Sequence, residues 1–351
     1  MTLGLASASG QLVGGGLLAI VPDSIGWRSI FAVNIPIGLV ILFLAPRLVP
    51  ETRREGRVAF DTLGVPLISG SLFLLLLPIV QSSSGWPSWT VYSLLGGAVL
   101  GGAFLWHERR LERAGGDPLL PPRLLAHPAF RAGGSTVVAL MLTNSGLFLL
   151  LAYHLQAGLG LEPLPSGLVF APTAVCFAVV SIRGSGWASR YGMRLLTYGA
   201  LLEAVSFVLV AVIAHFASRD AQPYAILPAL AGGGIGMGAV FSPLYAMVLA
   251  RVPRGDAGAA SGAMLTATQV GAALGVAVIG RVYIGLLGTE PGSGERVTFA
   301  HLTHAFSLGM LLLAAGACVV FALLRTVARV DAAPATPLST APAAPQVATR
   351  E

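Results

Sequence analysis

The sequence predicts an all-α transmembrane bundle of about ten spans. Three observations carry that expectation. The 351 residues are 55% hydrophobic and only 10% charged, whereas a soluble chain carries about 25% charged residues. The apolar residues gather into ten stretches near the roughly 20 residues that cross a bilayer as a helix. The arginines fall between these stretches or at their ends, as in polytopic membrane proteins.

The expected spans are 3–21, 30–46, 61–81, 89–106, 134–154, 164–182, 195–214, 223–250, 259–281 and 303–325. The first two form a unit from Gly4 to Gly38. A glycine-studded helix meets a short polar loop, and the aromatic hook at Trp27 turns the chain into a second apolar helix. Gly10, Gly14 and Gly15 leave one face of the first helix without side chains, so another helix can approach closely. The opening residues MTLGLASASG lack a basic n-region, so no cleaved signal peptide is expected. Asp61 is placed to cap the third span. After the fourth span a longer loop carries an apolar and basic run from Leu119 to Phe130 with Pro118, Pro121, Pro122 and Pro128. It is either a segment lying along the inner membrane surface or a plain linker. Six further spans follow, and the Ala-, Pro- and Thr-rich end is expected to be disordered.

Orientation follows from the arginines. With the amino terminus inside, seventeen of the 21 fall in inner segments. The outer face keeps Arg28, Arg219, Arg281 and Arg296. This asymmetry predicts a multi-pass protein of the cell membrane with both termini in the cytoplasm. The net charge of +6 does not point to nucleic acid, because the chain has no lysine and its arginines sit in short loops. Cys176 and Cys318 lie within apolar spans and read as buried thiols. His301 and His304 lack further ligands, so no metal is expected. There is no G-x-x-x-x-G-K-[ST] loop for ATP and no nucleophile elbow, so neither an ATP-driven pump nor an enzyme is expected.

Several motifs resemble the major facilitator superfamily, in particular its fourteen-span drug:proton antiporters. Gly10-Gln11-Leu12-Val13-Gly14-Gly15 stands where the antiporter motif G-P-x-x-G-G is expected, with Gln11 in place of proline. The signature W-R-x-x-F-x-x-N-x-P-x-G is matched by Trp27, Arg28, Phe31, Asn34, Pro36 and Gly38. The stretch from Gly184 to Arg194 resembles the loop motif G-x-L-A-D-R-x-G-R-R. Arg190, Gly192 and Arg194 are in place, and Ser189 replaces the aspartate. Gly232 to Gly280 is similar to the last glycine-rich helix pair, with Leu265 and Thr268 where asparagine and arginine are expected.

The resemblance implies a major facilitator helical bundle in which the ten spans are helices five to fourteen. Residues 1–50 are then the last two helices of the amino-terminal half and 51–106 two extra central helices. A cytoplasmic linker at 107–133, a six-helix carboxy-terminal half at 134–326 and a tail at 327–351 complete the chain. A reading frame truncated at its amino terminus and a genuine ten-span protein both fit. The implied function is proton-coupled efflux of drugs or other lipophilic small molecules, driven by the proton gradient without a cofactor. Export of an endogenous metabolite or antibiotic, or an inactive membrane remnant, are the alternatives.

The superfamily lines its cavity with the first and fourth helices of each half, here the fifth and eighth spans. Substrate-cavity candidates are thus Thr143, Asn144, Tyr153, Met237, Phe241 and Tyr245. For Met237 and Phe241 the competing reading is ordinary packing, and for Asn144 an interhelical hydrogen bond. Glu203 is the one acidic residue deep within a span. It is either a proton-coupling carboxylate or a structural acid outside the cavity. Gln11 keeps a backbone hydrogen bond that proline would remove. Its amide either reaches the sixth span near Thr173 or Cys176 or marks a tolerated loss. Arg190, Gly192 and Arg194 are assigned to an inner gating loop.

Overall fold

A computed structural model describes residues 14, 16, 17, 20, 21, 28–48, 61–81, 87–288 and 298–332. They are built from long helices. Arg28–Leu48 forms α1, with a one-residue break at Val33. Gly64–Gln81 is α2 and Ser88–Arg113 is α3. A short linker helix, Pro122–Ala126, leads into α4 at Pro128–Ala152. Then come α5 (Pro163–Tyr191), α6 (Met193–Phe216), α7 (Leu227–Leu249), α8 (Ala257–Leu287) and α9 (Phe299–Ala332).

Among the described residues, eight helical stretches are long and apolar enough to cross a membrane. The apolar part of α2, Gly64–Ile79, is shorter than these. The first expected span lies almost wholly outside the described residues, although residues 14, 16, 17 and 20 are helical. Most helices run beyond the expected limits. The apolar run defines only the part that suits lipid, and a helix continues past it until something in the chain stops it. For α5 that stop is Gly192, whose φ of 55° is a conformation that side chains with a Cβ rarely adopt. The last helix reaches Ala332, past the start of the expected disordered tail.

The six helices α4 to α9 form one body. Here α4 packs on α8 and α9, α9 on α6, α6 on α7 and α7 on α5, while α2 and α3 pair as a hairpin that touches α8 and the linker helix. Small residues permit the close crossings. A Cβ on Gly275 of α8 would overlap the Leu142 carbonyl oxygen of α4. One on Gly236 of α7 would lie 2.6 Å from the Gly199 carbonyl oxygen of α6. In lipid there is little hydrophobic drive between helices, so this backbone-level packing holds the bundle together.

Two apolar clusters fill the interior. One contains Leu147, Leu151, Phe207, Leu230, Tyr283 and Phe306. The other, nearer the linker, contains Leu140, Leu196, Val240, Leu244, Met264 and Val320. Leu124 of the linker helix is fully buried in the second cluster. The linker is therefore docked on the six-helix body through this residue. By contrast, α1 exposes Phe31, Ile35, Ile41 and Phe43, a surface suited to hydrocarbon and not to water.

Candidate functional site

The polar groups inside the six-helix body gather at three levels. At the middle, Glu203 of α6 is completely buried and both its carboxyl oxygens lack a hydrogen-bond donor. It packs beside Gly236, where an added Cβ would come within 2.9 Å of Glu203 Cβ. Asn144 of α4 is the polar neighbour that acts on the carboxyl. The Asn144 amide, however, donates to the Leu140 carbonyl of its own helix at 2.9 Å. An ionised carboxylate held this way costs several kcal/mol, so the site favours a neutral acid or a cationic partner.

Toward the linker, three aromatic rings run across α5 and α7. Phe177 lies 6.1 Å from Phe241, and Phe241 lies 5.1 Å from Tyr245, centroid to centroid. The Tyr245 hydroxyl donates to the Met264 carbonyl of α8 at 3.0 Å and also meets the Thr268 hydroxyl. Met237, one turn before Phe241, is buried.

At the far end, the α4 backbone widens into a π-helical turn over Tyr153–Gly158. That turn carries His154 inward, where it stacks on Phe306 at 3.8 Å. His154 Nε2 contacts Gln222 Oε1 at 2.7 Å, and Gln222 Nε2 donates to the Ala214 carbonyl at 2.7 Å. Because the Gln222 oxygen accepts, the proton sits on His154 Nε2, leaving buried Nδ1 without a partner. Tyr153 stacks loosely on Tyr283 of α8 at 6.5 Å.

The sequence-derived residues therefore face different neighbours. Thr143 faces α9, because a Cβ on Gly316 would lie 2.7 Å from its hydroxyl. Asn144 faces Glu203 on α6, Tyr153 and Tyr245 face α8, and Phe241 faces α5. None of the six lines the large cavity of about 1820 Å³ at the linker end. That cavity lies among Phe104 of α3, the loop from Gly115 to Pro121, Phe130 of α4 and Gly258 to Ala267 of α8. Of the antiporter-motif residues, Gly10, Gln11 and Gly15 lie outside the described residues, and Gly14 is in a helical segment. Thr173, one of the partners considered for Gln11, donates its hydroxyl to the Leu230 carbonyl of α7 at 3.0 Å. Arg190 and Arg194 are exposed, and Arg190 lies 5.6 Å from the Tyr191 ring. Among the described residues, neither pairs with a carboxylate.

Sequence reasoning missed the strongest ionic contact. Arg123 of the linker helix grips Asp256, just before α8, through Nη2 to Oδ1 at 2.7 Å and Nε to Oδ2 at 3.1 Å. Glu112 of α3 approaches the same guanidinium at 3.5 Å. The hydrogen bond to Asp256 raises the Arg123 pKa above its ordinary value. The only local signal was the run of prolines around Arg123, which braces that residue at a fixed place.

Comparison with known proteins adds an independent line. A family model described as Major Facilitator Superfamily matches residues 1–276. The chain is 34% identical over 290 residues to the "Probable actinorhodin transporter" of Streptomyces coelicolor, covering 82% of this chain and 50% of that protein. It is 36% identical over 330 residues to "Puromycin resistance protein pur8" of Streptomyces alboniger, covering 89% of this chain and 63% of that protein. It is 34% identical over 284 residues to "Cephamycin export protein CmcT" of Amycolatopsis lactamdurans, covering 78% and 56%. The chain thus spans only part of the length of the curated relatives it matches, from 50% to 63% for these three.

Proposed function

Because this multi-pass membrane chain belongs to the Major Facilitator Superfamily, we propose that it works in proton-coupled efflux of drugs or other lipophilic small molecules. Its helices correspond in this reading to the fifth to fourteenth of a fourteen-span antiporter. The arginine-rich turns and both termini face the cytoplasm of a cell-membrane protein. No cofactor is needed, since the proton gradient supplies the energy.

The observation that carries proton coupling is Glu203. It is enclosed at the middle of the six-helix body, its oxygens have no donor, and Asn144 faces it. A carboxyl so placed can take up and release one proton with a change of charge but no covalent chemistry. The crossing of α6 and α7 at Gly199 and Gly236 lets such a charge change act on the packing of both helices. In this reading Phe241 and Tyr245, with Met237, which lie outside the linker-end cavity in this structure, are the apolar and aromatic groups suited to a lipophilic or cationic substrate.

The names of two relatives, "Probable actinorhodin transporter" and "Cephamycin export protein CmcT", favour a second reading: export of an endogenous metabolite or antibiotic. Both readings are tested in cells expressing the complete transporter. Accumulation of a fluorescent dye, of drugs and of the host's own antibiotic is measured with and without a protonophore. Glu203→Gln is expected to abolish protonophore-sensitive efflux; unchanged efflux by that variant removes Glu203 from the coupling mechanism.

A further inference from the structure

A second acidic site lies at the linker end of the α2–α3 hairpin, well away from Glu203. Asp61 caps α2. Its Oδ1 accepts from the Gly64 and Leu63 backbone N–H groups at 2.8 and 3.3 Å, and from His107 Nε2 at 2.9 Å. Glu108 of α3 is completely buried, and its Oε2 accepts from the Leu120 backbone N–H at 2.8 Å. Each carboxyl is thus anchored through one oxygen. The other two, Asp61 Oδ2 and Glu108 Oε1, are buried and have no donor.

These two orphan oxygens point to one place. A Cβ on Gly64 would overlap Asp61 Oδ2 and lie 3.0 Å from Glu108 Oε1, and the carboxyls are within hydrogen-bonding reach of each other. Two ionised carboxylates in this position have nothing to donate and repel each other. The charged groups around them are already engaged. His107 is on the opposite oxygen of Asp61, Glu112 faces Arg123, and Arg123 is held by Asp256. Among the described residues, no guanidinium is bonded to either orphan oxygen. A single proton between the oxygens removes the repulsion and satisfies both acceptors at once.

We infer that Asp61 and Glu108 share one proton, and that this proton-binding site fastens the linker to α3. With the proton in place, Glu108 donates to Asp61 Oδ2 while its other oxygen holds the Leu120 N–H. When the proton leaves, two buried anions face each other beside Gly64, and Glu108 turns away and releases Leu120. Asp61 and the Gly115–Pro121 loop both line the 1820 Å³ cavity, so release loosens one wall of that cavity. The site does not depend on the transport reading, since it concerns a different acid pair and a different element.

The test uses the purified full chain in lipid nanodiscs. Infrared difference spectra over a pH titration are expected to show a protonated-carboxyl band that is lost in Glu108→Gln and in Asp61→Asn; the latter substitution keeps a side-chain oxygen able to cap α2. Amide hydrogen exchange at Leu120, corrected for the intrinsic rate, is expected to lose protection on going from mildly acidic to alkaline pH. In Glu108→Gln that protection should persist at every pH, because the amide both donates to Asp61 and accepts from Leu120. A band unaffected by both substitutions, or Leu120 protection in the unaltered chain that does not respond to pH, would overturn the assignment.

Discussion

The Arg123–Asp256 clamp gives a quantitative test of how the linker is held. The contact has two charge-assisted hydrogen bonds, at 2.7 and 3.1 Å, and such bonds contribute about 1.5–3 kcal/mol each when shielded. Shielding here is partial, with the Arg123 side chain 39% exposed and Asp256 11%. Solvent screening at Arg123 and its second contact with Glu112 at 3.5 Å lower the expected coupling to about 1 kcal/mol. Arg123→Ala alone should cost more, about 1–2 kcal/mol, because it leaves the better-buried Asp256 without its partner. A double-mutant cycle with Asp256→Ala separates the pair term from these losses. The readout is thermal unfolding in detergent, where each kcal/mol corresponds to about 2–4 °C. The coupling should shrink as salt is raised, since one partner is wetted. If the two single substitutions add without any coupling, the clamp contributes geometry and no stability, and the reasoning fails.

Three other outcomes follow from the geometry. Gly275→Ala should cost about 1–3 kcal/mol in the same unfolding assay, because the new methyl would meet the backbone of α4, which cannot rotate away as a side chain can; an unchanged melting temperature would mean that α4 and α8 are not so close. Glu203→Met should leave unfolding unchanged or raise stability by about 1 kcal/mol while removing proton coupling in the complete transporter; a clear loss of stability would instead favour the structural-acid reading. Tyr245→Phe should lose about 1 kcal/mol through its bond to the Met264 carbonyl, and a double substitution with Thr268→Val shows how much of that passes through the hydroxyl pair.

How far the fold could be read from the sequence depended on which physical signal was local. Apolar length is local, so every helix from α1 to α9 has an expected counterpart. Capping is local too: Asp61 was placed as the start of α2 and does accept from the Gly64 N–H. Helix ends were not legible, since α3 continues to Arg113 through residues as polar as His107 and Glu108. The docking of the linker was not legible, because nothing local distinguishes Leu124 from its apolar neighbours, and its burial depends on helices elsewhere in the chain.

The polar residues show where such legibility stops. Glu203 stood out because a carboxyl within an apolar span is costly, and that cost is visible from its immediate neighbours. Its relation to Asn144 was invisible, because Asn144 is on α4, and α4 and α6 are set beside each other only through α7 and α9, which pack on both. The same holds for Asp61 with Glu108, which meet only once the α2–α3 hairpin has closed, and for Arg123 with Asp256, which lie far apart in the chain. Only Glu203 stood out as expensive to bury; Asp61 was legible as a helix cap, and in none of the three cases could the pairing be named. A membrane bundle therefore advertises which polar groups need company, while glycine-level packing decides what company they receive. The function of such a group is set by that second step: Glu203 is a candidate proton carrier because the packing around it left its oxygens without a donor.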